Sequence, residues 1–569
     1  MDCGLKISHP TIASPMLFDY KFHGSTSVAS NAGSTDMSFS PDVSRQPTFF
    51  SGQLAKNIAF REAISALHHV VVSDLRFKPQ DRSAYKEWAA QQELVWLAQF
   101  GPGYKAELQA QISGLQTELG EIYKTREAVT GPFYKSRKKY FDYLYEKEKD
   151  AWFVLDPVIT VHPDEVFFEC FSQDEASYGK VGCSYEVFKS INEFACGTTN
   201  IDYSADLYNE FQKIREYKDT HFKVDPSGFE VKTTNEDTFN ELKIDLPDSW
   251  VRGFLQVSSA MTLPGKTFEL HPMDVHNICF ILRRQKEKTG PRSIRFVLKP
   301  GQPVKLVFEP WGYELNCPRS IYHGTDADEI RLWGRRRLLV LERLIPVTQK
   351  FTVQLLGSGL PSFFVADMGH LSFTLGLSGW TANDWSRAGN FDLMAPRAEV
   401  DNYTKDLVFK ALRETWVETS ASLARRLGLE KKTVEGALAA YTQAGRVIYD
   451  LNKQVYRLRE LSRDPLPMEK LRFDNPREAK ATELVNANQV TVKVEALPDN
   501  ALQLSGTVKE KTQTFTPTCL IDKDERMTQA TCSCYFYTQN KLFKGPCEHI
   551  LALRIAHNKR NWWSKWVLN

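Results

Sequence analysis

Apolar positions change period several times along the chain, and each change predicts a change of architecture. Residues 1–50 are rich in Ser, Thr, Gly and Asn with few apolar clusters. They read as an extended or partly disordered arm, with Phe18–Phe22 able to add a strand to a sheet. From 51 to 135 the pattern is helical. Leu108, Ile112, Leu115, Leu119 and Ile122 fall at 4-3-4-3 spacing, one apolar seam of about two heptads. So short a seam predicts an antiparallel helical hairpin, broken at Gly101-Pro102-Gly103 from a helix over 85–97. Residues 136–245 mix strands (Trp152–Val161, Val166–Phe171) with a helix over Tyr185–Phe194. Residues 246–400 carry short apolar runs between turns: Phe268–Leu270, Ser293–Leu298, Val304–Phe308, Leu338–Leu341, Phe351–Leu356, Phe363–Val365 and Leu371–Leu375. That spacing predicts a β-rich domain.

Residues 401–465 repeat a different grammar. One helix places Leu407, Val408, Ala411 and Leu412 on a single face. A short second helix follows Thr419, Gly428-Leu429 turns the chain, and a third helix over 430–444 buries Val434, Ala437, Leu438 and Tyr441. Gly445 closes it as a left-handed cap, and 446–449 with 455–458 form a hairpin. Short helix, glycine turn, longer helix, then a hairpin is the order of a winged helix-turn-helix. On a DNA reading Lys431, Lys432 and Thr433 start the recognition helix, while Arg446, Lys453 and Arg457 contact backbone from the wing. Glu435 and the flat Gly436 weigh against it, because an exposed carboxylate repels phosphate. Winged helices also dock proteins.

The densest chemistry lies at 480–569. Cys532-x-Cys534 and Cys547-x-His549 place four soft ligands in one short stretch, 532–549. Three thiolates and one imidazole suit one tetrahedral Zn²⁺ with every position closed, a structural rather than a catalytic site. Strand character over Thr514–Ile521, a turn at 522–525, a return over 527–531 and a helix opening at Pro546-Cys547 put the ligands on a ββα unit. Cys519 lies on the strand preceding Cys532 and is expected to be a buried thiol, not a ligand. In this pattern the sequence resembles the SWIM zinc finger, a C-x-C, spacer, C-x-H module for binding nucleic acid or protein. A winged helix before a C-terminal SWIM finger, together with Phe168–Asp174, Gly197–Asn200 and Leu377–Ser386, is similar to a group of bacterial SWIM zinc-finger proteins. The resemblance implies partners of the MoxR-type AAA+ ATPase and von Willebrand A-domain classes in anti-phage conflict systems.

Composition adjusts this picture only at one end. Residues 401–569 hold 27 Lys/Arg against 20 Asp/Glu, and 1–400 hold 45 against 50. The basic third fits an acidic partner or nucleic acid confined to that end. After Glu548 the tail carries Arg554, His557, Lys559, Arg560, Trp562, Trp563, Lys565 and Trp566 and no acid, a pattern that can hold single strands or simply pack on the finger. Ten cysteines without a disulfide framework point to a reducing compartment. With no membrane-length apolar run and no signal-peptide pattern at Met1-Asp2-Cys3-Gly4, no membrane partner is expected and the cytoplasm is the expected location.

No phosphate loop, His-Glu-x-x-His or Gly-x-Ser-x-Gly occurs. The acidic run 168–175, the Arg331/Arg335/Arg336/Arg337 group around Trp333, the His68-His69 pair and His271/Asp274/His276 each have a simpler structural reading than a site. The expectation is therefore a multidomain α+β protein: helical N-terminal region, β-rich middle, winged helix and ββα finger. It is expected to act without catalysis, binding nucleic acid, DNA first, through the last two modules. The alternative is a protein–protein adaptor that never touches nucleic acid.

Overall fold

The structure, a computed structural model, describes residues 27–30, 34–39, 48–73, 111–115, 117, 119–121, 157–200, 208, 211–224, 248–286, 292–380, 383–386, 390–395, 400–461, 476–523 and 526–567. The chain divides into two compact units, 75–154 and the remainder. In the first of these, the described residues between 111 and 121 are helical, with Leu115 and Leu119 of the expected seam exposed at 66% and 51%. The helix expected over 85–97, the break at 101–103, Phe18–Phe22 and 152–156 lie outside the described residues.

The larger unit is built on an eight-stranded antiparallel sheet. Its order is Lys266–Leu270, Lys350–Leu355, Ser362–Asp367, Leu371–Leu377, Ser177–Ser184, Glu165–Phe171, Val158–Val161 and Gly197–Asn200. Strands from 158–200 and 266–377, expected in separate regions, thus share one sheet. Glu165–Phe171 is buried along its whole length, so the sheet is covered on both faces. On one face lies a core shared with the helices Asn57–Val71 and Pro272–Arg284 and with a four-stranded sheet of 293–333. The other face holds the helix Asp248–Met261 and the C-terminal elements. A further five-stranded sheet joins Ser27–Ser30, Ser34–Phe39 and Phe49–Leu54 to Phe188–Ala195 and Asp219–Val224, so the described part of the expected arm is largely strand.

Two predicted elements change type. Tyr185–Phe194 is not a helix; a 3-10 turn at Tyr185–Val187 leads into the strand Phe188–Ala195. Its pairing with Phe49–Leu54 shifts register twice, between Phe50/Gly52 and Gln53/Leu54, and each shift inserts an extra residue. The bulges space Phe188, Ile191 and Phe194 by three, which mimics a helical period. Leu338–Leu341 is not a strand. Gly334, in the left-handed region at φ 68°, turns the chain into the 3-10 helix Arg335–Val347. Leu338, Leu341 and Leu344 are buried there, at the three-residue repeat of that helix. The β-rich middle also contains the helices Asp248–Met261 and Pro272–Arg284, with His271 capping the second by accepting from the Met273 N–H.

Residues 400–461 form the helices Asn402–Thr415, Ser420–Leu427 and Lys431–Gln443. A three-stranded sheet of Val417–Glu418, Val455–Leu458 and Val447–Asp450 completes this module. Asp401 and Thr419 cap the first two helices with their side chains, and Gly428 ends the second at φ 65°.

Candidate metal centre

The finger begins with the helix Pro476–Asn486, then four main strands and the helices Tyr535–Asn540 and Glu548–Val567. Val492, Leu504, Val508, Cys519, Ile521 and Met527 point from the sheet into buried core. Cys532 and Cys534 follow the last strand, Met527–Thr531. Cys534 caps Tyr535–Asn540, its sulfur accepting from the Tyr537 N–H at 3.4 Å. Cys547 sits where the long helix opens, its carbonyl accepting from the Leu551 N–H. A helix start favours a thiolate.

The ligand atoms of Cys532, Cys534, Cys547 and His549 lie within 4.8 Å of one another, and all four residues are buried. His549 Nε2 lies 3.1 Å from Glu510 Oε2, while Nδ1 is buried without a hydrogen-bond partner. An orphaned ring nitrogen among three thiols is the arrangement a cation satisfies. The donor set fits one structural Zn²⁺. The Cys532 and Cys547 thiols beside it hold Cys534 far below the usual thiol range. The same crowding raises Cys547, so the neighbouring thiols share protons that a bound metal would have to displace. Cys519 is outside the set, and burial pushes its thiol up to about 12, as for an inert core cysteine.

The loop before Cys547 is clamped to the rest of the unit. Phe543 stacks on Trp380 at 5.2 Å, with Trp333 4.7 Å from Trp380. Asn383 Nδ2 donates to the Phe543 carbonyl. Gly545, at φ 82°, packs so closely that a Cβ would meet the Asn390 carbonyl at 2.4 Å. Arg554 donates to the carbonyls of Leu393 and Ala395. One core runs from Phe171, Trp250 and Phe254 through to Cys532, Cys534, Cys547 and Ile550. Sequence spacing found the ligands but not this clamp, whose partners come from far earlier in the chain.

The residues expected to meet nucleic acid are placed differently from one another. Arg457 is fully buried. Its Nε lies 2.9 Å from Asp450 Oδ2 and 3.3 Å from Glu165, and its Nη1 lies 2.7 Å from Asp164. Lys453 reaches Glu165 at 2.9 Å and Asp164 at 3.2 Å. Lys180 joins Asp450 at 2.8 Å. Arg446 pairs with Glu460 at 3.0 Å, its side chain 12% exposed. These cations hold the module together or hold it to the central sheet, rather than presenting a free basic wing. Arg459 extends the seam, binding Glu169, which also accepts from Tyr178 Oη. Lys431 stays exposed, 3.2 Å from Glu435, and Lys432 and Thr433 are half-buried. Glu435, expected on the exposed face, is buried and accepts from Ser420 Oγ.

The other candidates have structural roles. Glu169 and Asp174 of the acidic run bind Arg459 and Arg337. Arg331 meets Glu309 at 2.7 Å, and Arg335 is buried against the carbonyls of Ser293 and Glu309. His68 stacks on Tyr208 at 4.0 Å, and burial lowers it to about 4. An open cleft of about 530 Å³ is lined by Asp164, Ser184, Tyr185, Glu186 and Lys453. Asp164, Glu186 and Lys453 there are tied up in ion pairs and hydrogen bonds. The side chains of the tail from 560 onward lie outside the described residues, although its backbone continues the last helix to Val567.

Comparison with known proteins supports the metal centre. The SWIM zinc finger family matches residues 518–558, a stretch that contains all four ligands. No curated protein matches the chain. Among solved structures it is similar to the proliferating cellular nuclear antigen from Entamoeba histolytica, at 7% identity and a TM-score of 0.31, over 58% of this chain and 97% of that one. So slight a likeness carries no argument. Among the described residues no helix is long and apolar enough to cross a membrane.

Proposed function

We propose that the chain is a non-enzymatic recognition protein that works as a protein–protein adaptor, with a zinc-stapled finger and a winged helix (residues 400–461) fused into one rigid recognition body. The observation that carries this reading is the burial of the helix Lys431–Gln443. In a winged helix this is the element that would enter a DNA groove, yet nine of its thirteen residues are buried. Gln443 reaches back to the Asp392 carbonyl. A helix packed this way has no long face left for bases. The wing cations Lys453 and Arg457, already neutralised by Asp164, Glu165 and Asp450, have little attraction left for phosphate.

The resemblance to bacterial SWIM zinc-finger proteins supports a MoxR-type AAA+ ATPase and a von Willebrand A-domain protein as the partners, in a cytoplasmic anti-phage role. A second reading, nucleic-acid binding, is favoured by exposed Lys431 at the helix start and by exposed Lys493, Lys509 and Lys511 on the finger. Affinity purification of the full chain from its own cells, with and without nuclease, separates the two. Recovery of a stable ATPase complex that nuclease leaves unchanged supports the adaptor. Binding of the purified full chain to DNA or RNA with an affinity that falls steeply as salt rises overturns it in favour of the second reading.

A further inference from the structure

A zinc-bound imidazole must commit one nitrogen to the metal and place its proton on the other. In His549 the two nitrogens already have different surroundings: Nε2 lies 3.1 Å from Glu510 Oε2, and Nδ1 is buried with no hydrogen-bond partner. Glu510 ends the strand Leu502–Glu510, and its second oxygen lies 2.9 Å from Lys480 Nζ on the helix Pro476–Asn486. Lys480 also reaches Glu548 at 3.0 Å. The ring of Phe515 lies 4.1 Å from the imidazole and limits its rotation. We propose that Glu510 is a positioning residue for the zinc centre, accepting the Nε2 proton of His549 so that the Nδ1 lone pair faces the metal, with Lys480 holding the carboxylate in place.

The chemistry follows from the ring. A neutral imidazole protonated at Nε2 has its lone pair at Nδ1, and a carboxylate on the N–H fixes that tautomer and makes the lone pair more basic. Glu510, Glu548 and His549 could themselves be taken for a second metal group, since their ligand atoms also fall within 4.8 Å. The Lys480 ammonium, between the two carboxylates, already supplies the positive charge such a site would want. His549 also cannot serve both metals while Glu510 takes its proton. The carboxylate is therefore a partner of the histidine, not a ligand. The proposal rests on the zinc centre alone and is independent of what the finger recognises.

Zinc affinity of the full chain, measured by competition with a chromophoric chelator, tests this. Glu510→Ala should weaken zinc by about 10- to 100-fold, the usual effect of losing such a partner. Glu510→Gln, which keeps an acceptor oxygen of the same size, should retain most of the affinity and guards against a folding artefact. The discriminating background is His549→Cys, a four-cysteine site that binds zinc with no ring to orient. There Glu510→Ala should cause no weakening. Unchanged affinity in Glu510→Ala alone, or an equal loss in the His549→Cys background, would overturn the proposal.

Discussion

Cys534 and Cys519 are both buried thiols in the same small sheet-and-helix unit, and only their surroundings separate them. Cys534 lies among two other thiols and an imidazole, whereas Cys519 faces apolar neighbours. Purified protein should contain close to one zinc per chain. Cys534→Ser should abolish it, and Cys519→Ser should keep it, as read by metal analysis. In the module of residues 400–461, Asp450 is buried, and Lys180 and Arg457 hold its carboxyl well below the usual range against the opposing effect of burial. Asp164 is lowered to about 2; burial opposes this, but Arg457 and Lys453 outweigh it. Both values fall on folding, so these pairs stabilise the fold above about pH 4 and lose that contribution as pH drops from there through 2. Asp450→Ala leaves two buried cations short of an anion and should cost about 3 kcal/mol in denaturant unfolding at neutral pH, because Glu165 compensates only in part. The variant should also show a flatter loss of stability between pH 4 and 2 than the parent.

At the scale of elements, the helix Lys431–Gln443 shows how one sequence pattern can serve two surfaces. Val434, Ala437, Leu438 and Tyr441 fill the module's own core. Glu435, Gly436, Ala440, Thr442 and Gln443 are buried as well. A helix with small and polar residues on its second face reads as solvent-facing in sequence, yet Gly436 and Ala440 are also what a close approach between elements requires. Amide hydrogen exchange over 434–443 should therefore be slow, comparable to that of the buried helix Asp248–Met261, and should not change when excess duplex DNA is added. Fast exchange there, or protection gained only with DNA, would mean that the second face is open.

On this architecture the whole larger unit should unfold as one cooperative body. Independent domains would let the finger unfold alone when zinc is removed. Here the cysteine ligands belong to the same core as Phe171, Trp250 and Phe254, and Phe543 stacks on Trp380, which lies against Trp333. Chelation of zinc should lower the main calorimetric transition of the full chain rather than remove a separate early step. A small zinc-dependent transition preceding an unchanged main one would show the finger to be autonomous.

Whatever depends on neighbours along the chain can be read from the residues themselves. The four zinc ligands lie close together between 532 and 549, and their residue types dictate both the metal and its closed coordination. The second and third module helices are delimited by Thr419, Gly428 and Gly445, whose capping roles are local. Most strands of the middle region were legible as short apolar runs. What depends on partners far away is set by the folded surroundings. Two bulges, set by pairing with Phe49–Leu54, turned an apparent helix into a strand. Asp164, Glu165 and Lys180, from the other half of the chain, turned a basic wing into a buried charge seam. Glu510, on a strand well before His549, came within 3.1 Å of its Nε2. Ligand spacing and caps act through a few adjacent residues, so the sequence carries them openly. Burial and ion pairing are set by whichever surface folds against a residue, and no local pattern encodes that surface.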